Sequence, residues 1–358
     1  MADKKRVLVA MSGGVDSSVT AKLLMDAGYD CVGCTMRLHE ATPESLTAEG
    51  SCGSGSDIDD ARAVAAALGM PHHTLEYVDE FRANVIDPFC AFYLAGRTPN
   101  PCIDCNRTMK FGKLFDFARS QGCDYVSTGH YVRVEQRADG NFYLRKAVDA
   151  SKDQTYVLYF LSQDQLSHVL FPLGDMTKVE TRAVAAGQGF GNAQKAESMD
   201  ICFVPDGDYA RVVRACTGGV GQPGNFVTSA GEVCGQHKGI ACYTIGQRKG
   251  LGLYGPEPVY VSAIDAAANT VTVGPRAELL RGDCLVGDMC WAAGAAPAEE
   301  FRCAAKIRYR QTEQPCAVQV QPDGCVRLVF DNPQSAITPG QAAVLYDGEY
   351  VLGGGRIC

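Results

Sequence analysis

Residues 6–18 read RVLVAMSGGVDSS, and this stretch decides the fold of the first part of the chain. Residues 6–11 are apolar and rich in β-branched side chains, which predicts a buried strand. Two glycines and three serines surround the turn, and Val19, Leu23 and Leu24 then recur at helical spacing. A glycine loop between a strand and a helix N-terminus presents backbone N–H groups to an anion. The stretch therefore predicts a phosphate-binding loop.

Strand and helix patterns alternate from the N-terminus to about residue 128. A chain that alternates in this way folds as a parallel α/β sheet. Asp57 is placed to cap the second helix, and the Pro-, Asn- and Cys-rich residues 97–106 read as a loop. The predicted strands are residues 6–11, 30–36, 73–78 and 124–128, and the predicted helices are residues 18–27, 57–68, 80–95 and 108–120.

The second half of the chain has a different pattern. Asp139-Gly140 lies between two alternating runs and predicts a hairpin, and from about residue 208 glycine is frequent and strands are short. Alternating strands with turns continue from residue 276. We therefore expect an α/β domain with a parallel sheet at residues 1–207, a small β-rich central adaptor domain at residues 208–275 and a C-terminal β-barrel at residues 276–358.

The charge of the chain argues at first against a nucleic-acid partner. Lys and Arg number 33 and Asp and Glu 41, which gives a net charge of −8. Ten acids against two bases between residues 38 and 90 account for this excess, and residues 97–113, 236–252 and 302–310 are locally basic. An RNA backbone would meet those three windows, with an affinity that falls as salt rises.

Seventeen cysteines are scattered along the chain. Cys31 and Cys34 lie in a predicted strand, where residues three apart point to opposite faces, so we expect packed core thiols. Cys102 and Cys105 lie instead before a helix and close to Arg107, which favours the thiolate and makes them candidates for chemistry. No second pair of similar spacing lies in a comparable loop to complete a structural zinc site.

The loop SGGVDS resembles the pyrophosphatase variant of the P-loop (the PP-loop), found in enzymes that cleave ATP between its α and β phosphates. The resemblance implies that Ser12, Gly13, Gly14, Ser17 and Ser18 hold pyrophosphate and that Asp16 helps to hold Mg²⁺. The ATP-binding residues implied in this way are Ala10, Met11, Ser12, Gly13, Gly14, Val15, Asp16, Ser17, Met36 and Gly129.

Further motifs resemble the bacterial tRNA 2-thiouridylase family along nearly the whole chain. The fold that this implies is an N-terminal PP-loop domain of the adenine nucleotide α-hydrolase type, followed by the two β domains. The matching segments are AMSGGVDSSV from Ala10, AGRTPNPCIDCNRTMKFG from Ala95, TGHY from Thr128, KDQTYVLY from Lys152, ESMDICFV from Glu197, HKGIACYTIGQRKGLG from His237, IRYRQ from Ile307 and LGGG from Leu352.

The resemblance implies a sulfurtransferase that acts on wobble uridine 34 of Lys, Glu and Gln tRNAs. ATP adenylates the C2 oxygen, and persulfide sulfur then replaces it to give 2-thiouridine, AMP and pyrophosphate. Cys202 would carry the persulfide, and Cys105 would be the nucleophile that releases the sulfur through a transient disulfide. Cys102 stands where several relatives carry Asp, so a general acid or base is missing at this position.

The same resemblance implies where RNA binds. The target base, flipped out of its stack, would contact Asn100, Pro101 and Cys102. The tRNA would contact Lys152, Asp153, Gln154, Arg308 and Tyr309.

Other interpretations remain open on the sequence alone. Cys102, Cys105 and Cys202 could hold a [4Fe–4S] cluster with one open iron, as some tRNA thiolases do. The chain could also be a PP-loop synthetase that acts on a small molecule, or a nucleotide- or RNA-binding protein without catalysis. The charged N-terminus has no apolar export segment and the apolar runs are too short for a membrane helix, so we expect a cytoplasmic protein that needs no membrane. A monomer is the default expectation, and the resemblance implies a persulfide donor as the source of sulfur.

Overall fold

The computed structural model describes residues 4–39, 55–195, 201–255 and 257–358. Residues 40–54 and residues 197–200 of the ESMDICFV motif lie outside this part. The helices are α1 (Val15–Asp26), α2 (Gly55–Ala67), α3 (Val78–Phe81), α4 (Asp87–Leu94), α5 (Pro101–Cys105), α6 (Leu114–Ser120), α7 (Gln163–Ser167), α8 (Lys178–Gly187) and α9 (Tyr209–Thr217). The strands are β1 (Arg6–Ala10), β2 (Asp30–Arg37), β3 (His72–Glu76), β4 (Tyr125–Thr128), β5 (Val132–Gln136), β6 (Phe142–Lys146), β7 (Val169–Leu170), β8 (Gly224–Val227), β9 (Val233–His237), β10 (Tyr260–Asp265), β11 (Thr270–Gly274), β12 (Leu280–Trp291), β13 (Glu300–Lys306), β14 (Gln314–Val320), β15 (Val326–Ser335), β16 (Ala342–Asp347) and β17 (Tyr350–Ile357).

The N-terminal part folds around a parallel sheet of five strands in the order β3-β2-β1-β4-β7. Strand β1 lies in the middle, and Val7, Leu8 and Val9 have no exposed surface because helices cover both faces. Cys31 and Cys34 belong to the hydrophobic clusters on opposite faces of this sheet, as predicted. The predicted α/β class is confirmed, and the glycine loop leaves the carboxyl end of the central strand.

The prediction for residues 97–106 is wrong, because most of that loop is helical. Helix α5 begins at Pro101 and continues through a π-helical segment, Asn106–Lys113, into α6. Proline fits the first position of a helix, since its missing N–H would have no partner there. Cys105 therefore lies within a helix.

Helix boundaries also differ at the two helices that border the glycine loop. Helix α1 begins at Val15 and not at residue 18, which shortens the glycine loop and places Asp16 and Ser17 in the first helical turn. Helix α2 begins at Gly55, so Asp57 is a buried residue of its first turn and not the cap.

The second half contains two β structures, as predicted. A four-stranded sheet has the order β10-β11-β8-β9, and six antiparallel strands, β12-β15-β14-β13-β16-β17, close into a barrel through the pairing of β12 with β17. The predicted hairpin of β5 and β6 extends the barrel sheet, because Tyr350 on β17 pairs with Arg145 on β6. The chain thus links its N-terminal domain to the barrel by backbone pairing. In the part of the chain that is described, none of the helices combines the length and apolar character needed to cross a bilayer.

Candidate active site

The glycine loop is held in shape by its own hydroxyl groups. The Ser12 backbone N–H donates to Ser17 Oγ at 3.1 Å, and Ser17 Oγ and Ser18 Oγ donate to the Gly14 carbonyl at 3.1 and 2.9 Å. Met11 and Val15 are buried in the core, so these residues could face a nucleotide only through their backbone. The loop thus has the fixed, backbone-lined shape that phosphate binding requires.

Two glycines of the site are required by close packing. Gly13 has φ +73°, and a Cβ there would lie 2.2 Å from the carbonyl oxygen of Asp57. A Cβ on Gly129, just beyond β4, would lie 2.9 Å from the Ser17 backbone nitrogen. Only glycine fits at both positions, and the close contact at Gly129 brings the end of β4 against the start of α1.

Asp16 is held by two residues that the sequence analysis missed. Lys178 Nζ lies 2.6 and 2.8 Å from the two Asp16 carboxylate oxygens, and the Tyr131 hydroxyl donates to Asp16 Oδ1 at 2.9 Å. Lys178 is the first residue of α8 and is 9% exposed. A Mg²⁺ ion at Asp16 would fit the carboxylate but would have to replace the lysine, leaving a cation beside the phosphate loop.

A second missed contact comes from the segment after α8. Asn192 Nδ2 donates to the Gly13 carbonyl and to Ser18 Oγ, both at 2.9 Å. Lys195 Nζ lies 2.6 Å from Asp57 Oδ1 and 2.6 Å from Asp60 Oδ2, which ties the same segment to α2. A lysine and an asparagine in an irregular segment carry no periodic signal, so only the structure shows this clamp on the glycine loop.

The two candidate reactive thiols lie against one apolar cluster. Cys105 on α5 and Cys202 both pack against the buried residues Leu38, Phe81, Val85 and Met109. Met36, at the end of β2, packs against this cluster and also against the main core. The structure therefore brings both cysteines to the carboxyl edge of the sheet, where ligands of α/β proteins bind.

His39 borders the same cluster and was not singled out from the sequence. Its ring lies 4.9 Å from that of Phe81 and 6.5 Å from that of Phe203, the residue after Cys202. Its Nε2 is buried and has no hydrogen-bond partner among the described residues, and burial lowers the pKa of His39 to about 4. A neutral ring nitrogen therefore lies near the thiols.

Comparison with family models and with known proteins identifies the family of this chain. Residues 5–206 match the tRNA methyl transferase HUP domain, residues 219–275 the tRNA methyl transferase PRC-barrel domain and residues 281–357 the aminomethyltransferase beta-barrel domain. A tRNA-specific 2-thiouridylase of Chloroflexus aurantiacus is 48% identical over 98% of both chains. That of Symbiobacterium thermophilum is 48% identical over 99% of this chain and 92% of the relative, and that of Magnetococcus marinus is 44% identical over the full length of both. The chain belongs to the tRNA-specific 2-thiouridylase family.

The residues that the sequence analysis predicts to contact the target base lie at the start of α5. Pro101 is buried, whereas Cys102 is exposed. Tyr309, which follows β13, is 40% exposed, and burial raises its pKa, with Asp153 and Cys102 as neighbouring groups that add to the shift. One predicted base contact and one predicted tRNA contact are therefore exposed at the surface.

The hypothesis of an iron–sulfur cluster is not supported in this thiouridylase. Cys102, Cys105 and Cys202 are all described, yet within residues 4–39, 55–195, 201–255 and 257–358 no group of three His, Cys, Asp or Glu side chains could hold a metal ion. The physical reason is their placement, since Cys102 faces solvent near Tyr309 whereas Cys105 and Cys202 pack into the apolar cluster. A cluster needs three thiolates that converge.

The remaining predicted tRNA contacts differ in how they are placed. Asp153 is only 5% exposed and binds the Ala147 N–H and the Thr155 hydroxyl at 3.1 and 2.6 Å, so its carboxylate shapes the loop. Gln154 is likewise engaged, because its Oε1 accepts from the Tyr131 N–H at 2.9 Å. Arg308 is exposed and donates to the carbonyl oxygens of residues 335 and 336. The predicted tRNA contacts whose side chains are at least partly exposed are Arg308, Tyr309 and Lys152.

Proposed function

We propose that this chain replaces the C2 oxygen of the wobble uridine in tRNA with sulfur at the expense of ATP. Family membership supports the reaction as a whole, since its relatives are named tRNA-specific 2-thiouridylases over their full length. The single structural observation that carries the mechanism is the packing of Cys105 and Cys202 against one cluster at the edge of the sheet. Two thiols at one site are what sulfur transfer through a persulfide requires.

The glycine loop performs the ATP half of the reaction. Its N–H groups bind the β and γ phosphates, together with the serine hydroxyls once these turn away from the Gly14 carbonyl. The uridine C2 oxygen attacks the α phosphorus and pyrophosphate leaves. Asp16 would hold Mg²⁺, which would supply positive charge to the phosphates. Lys178, whose Nζ lies beside this loop, would bind the same phosphates. Asn192 keeps the Gly13 carbonyl turned away from the phosphates.

The cysteines perform the sulfur half. The terminal sulfur of a Cys202 persulfide attacks C2 and AMP leaves with the C2 oxygen. The Cys105 thiolate then attacks Sγ of Cys202, the old S–S bond breaks, and its electron pair stays with the sulfur on C2. The products are 2-thiouridine, AMP, pyrophosphate and a Cys105–Cys202 disulfide, which a thiol reductant must reduce before the next turnover.

The partners follow from the same mechanism. The substrates are tRNAs with a wobble uridine, of the Lys, Glu and Gln type, bound against Arg308, Tyr309 and Lys152 with the target base at Asn100, Pro101 and Cys102. A persulfide donor loads Cys202 from outside. We propose a monomer, because every assigned residue comes from one chain, and we place it in the cytoplasm, where its substrate tRNA is found.

Replacing the two cysteines by serine tests this function. The enzyme is given tRNA, ATP, Mg²⁺ and a persulfide donor, and 2-thiouridine is measured by nucleoside mass spectrometry. Cys105→Ser and Cys202→Ser should each lower the yield at least about 100-fold, because a thiol is the nucleophile, while ATP binding stays within about twofold. Cys234→Ser is the control, since Cys234 is exposed on β9. Full yield from either active-site variant would contradict the assignment of the two thiols.

A further inference from the structure

A partly buried ion pair joins the helix of Cys105 to the end of the barrel. Asp104 lies in α5 between Cys102 and Cys105, and Arg356 lies near the end of β17. Arg356 Nη2 donates to Asp104 Oδ1 at 3.1 Å, across 252 positions of sequence. The two side chains are 29% and 17% exposed, so solvent screens this pair less than a surface pair.

The environment makes each partner depend on the other. Burial raises the pKa of Asp104, and Arg356 and Arg107 oppose that effect by lowering it. The Arg356 guanidinium is itself fixed, because it lies 4.5 Å from the centre of the Phe92 ring. Removing one member of a buried pair leaves an uncompensated charge, whereas removing both is tolerated far better.

The strand end that carries Arg356 belongs to a larger contact with the same segment. The Thr98 N–H donates to the Pro339 carbonyl at 2.9 Å, and Gln341 Nε2 donates to the carbonyl oxygens of Thr98 and Pro99 at 3.1 and 3.0 Å. Gly340 lies so close that a Cβ there would stand 2.8 Å from the Thr98 carbonyl oxygen. The barrel therefore contacts Thr98 and Pro99, immediately before α5. The ion pair between Arg356 and Asp104 extends this contact to the helical turn that contains Cys105.

We infer that Arg356 is a positioning residue for sulfur transfer, which acts through Asp104 to fix the place of Cys105 relative to Cys202. The inference rests on the proposed role of Cys105 as the nucleophile. The barrel would then have two roles, to bind tRNA and to position Cys105. Strand β13 leads to Tyr309 and β17 contains Arg356, and both strands belong to the same closed sheet.

The expected effect is on the chemical step. An attacking sulfur must approach along one line, and a displacement of about 1 Å far from the reacting atoms can cost about 100-fold in rate. ATP binds at the glycine loop, whereas Asp104 and Arg356 lie where α5 meets the barrel. Loss of the pair should therefore lower kcat and leave the KM for ATP unchanged.

A double-mutant cycle tests the inference. Asp104→Asn and Arg356→Gln should each lower kcat about tenfold or more, whereas Arg356→Gln added to Asp104→Asn should change it less than about threefold. The matched control is Arg327→Gln, which removes an ion pair to Asp283 at 2.8 Å between two strands of the barrel, β15 and β12. This control should keep the wild-type kcat.

A second measurement does not depend on thiolation. The rate at which iodoacetamide alkylates Cys105, mapped by mass spectrometry on the folded proteins and normalised to Cys234, should change about threefold or more in Arg356→Gln and Asp104→Asn and not in Arg327→Gln. If Arg356→Gln does not fold, Asp104→Asn alone decides, since it keeps the shape and removes the charge. A kcat and an alkylation rate within about twofold of wild type in the folded variants would overturn the positioning role. If the wild type makes no 2-thiouridine but the alkylation rates shift, the proposed function fails and the positioning of Cys105 stands.

Discussion

Gly13 shows how a single residue sets the shape of the phosphate loop. Its φ of +73° suits glycine, and the backbone of Asp57 fills the space where a Cβ would stand. Its carbonyl accepts a hydrogen bond from Asn192. The residue is therefore constrained by its own conformation, by α2 and by the segment after α8 at the same time.

Replacing this glycine should affect both stability and ATP binding. Gly13→Ala must relieve a 2.2 Å contact with Asp57 as well as adopt a strained φ. We expect a loss of about 3 kcal/mol or more in the free energy of unfolding and a clear rise in the Kd for ATP. Gly122→Ala is the control, because Gly122 has φ +67° and no atom of the described residues lies near its Cβ position. Gly122→Ala should lower the free energy of unfolding by only about 1 kcal/mol and leave the Kd for ATP unchanged. Equal losses in the two variants, measured by denaturant unfolding and ATP titration, would show that the contact with Asp57 does not matter.

The sequence predicted the loop better than its surroundings. SGGVDS resembles a known phosphate-binding motif, so Asp16 and the serines could be assigned to the loop from the sequence. Lys178 and Lys195 could not, because each reaches the loop from a segment far along the chain and no spacing rule connects them to Asp16 or Asp57. The side chains that complete a site across the tertiary structure are the ones a linear pattern does not reveal.

Helix α8 connects a local capping signal with the ATP site. Thr177 caps the helix, with its Oγ1 accepting from the Glu180 N–H at 3.3 Å and Glu180 Oε2 accepting from the Thr177 N–H at 2.7 Å. Lys178 follows directly as the first helical residue, so the cap also fixes the lysine that holds Asp16. The stability of α8 and the position of Lys178 beside Asp16 therefore depend on the same first turn of the helix.

Two capping boxes allow these effects to be separated. Thr177→Ala and Ser162→Ala each remove the cap of one helix and should each lower the free energy of unfolding by about 1 kcal/mol. Only Thr177→Ala should raise the KM for ATP, because the Ser162 box belongs to α7, away from the glycine loop. Steady-state kinetics on both variants checks this. A rise of equal size in Ser162→Ala would assign the effect to general destabilisation.

Helix α5 marks the limit of prediction at the scale of elements. Two prolines and two asparagines made residues 97–106 read as a loop, yet Pro101 begins a helix that carries Cys102 and Cys105. The same residues are signals for a loop and for the start of a helix. In the structure the barrel binds this segment on both sides of the helix start, through a hydrogen bond to Thr98 and the ion pair with Asp104.

At the scale of the whole molecule, burial keeps several histidines neutral. Burial lowers the pKa of His39 and of His72 to about 4, and it lowers that of His130 well below the ordinary value near 6.5. The unfolded chain therefore binds protons between about pH 6.5 and 4 that the folded chain does not. In that window the free energy of unfolding must fall as the pH falls.

Unfolding by denaturant at about pH 7 and about pH 5 measures this dependence. We expect a loss of about 1 kcal/mol or more for the wild type. His72→Gln should reduce the loss, since His72 contacts Thr35 Oγ1 at 2.9 Å in the sheet, whereas His168→Gln, at an exposed position, should not. Identical pH dependence in wild type and His72→Gln would show that burial of this ring does not contribute.

The three-part architecture and the parallel sheet were predictable, because both rest on periodicity and glycine content. The charge was predictable only in part. The excess of acid lies in one segment of the sequence, whereas Arg308 and Arg310 flank the exposed Tyr309, and the sum of charges over the chain conceals this difference. The pairing of Cys105 with Cys202 was implied only by the resemblance, because it depends on how the chain folds between them. The structure shows both thiols packed against one apolar cluster.

The central claim is that one ATP is spent as AMP for each sulfur placed in tRNA. The most direct test is a single turnover in which enzyme preloaded with persulfide is mixed with unmodified tRNA, Mg²⁺ and ATP, and AMP and 2-thiouridine are both quantified. The account predicts that the two products appear in equal amounts and that neither forms with Cys202→Ser. AMP without 2-thiouridine in the wild type, or 2-thiouridine without AMP, would contradict it.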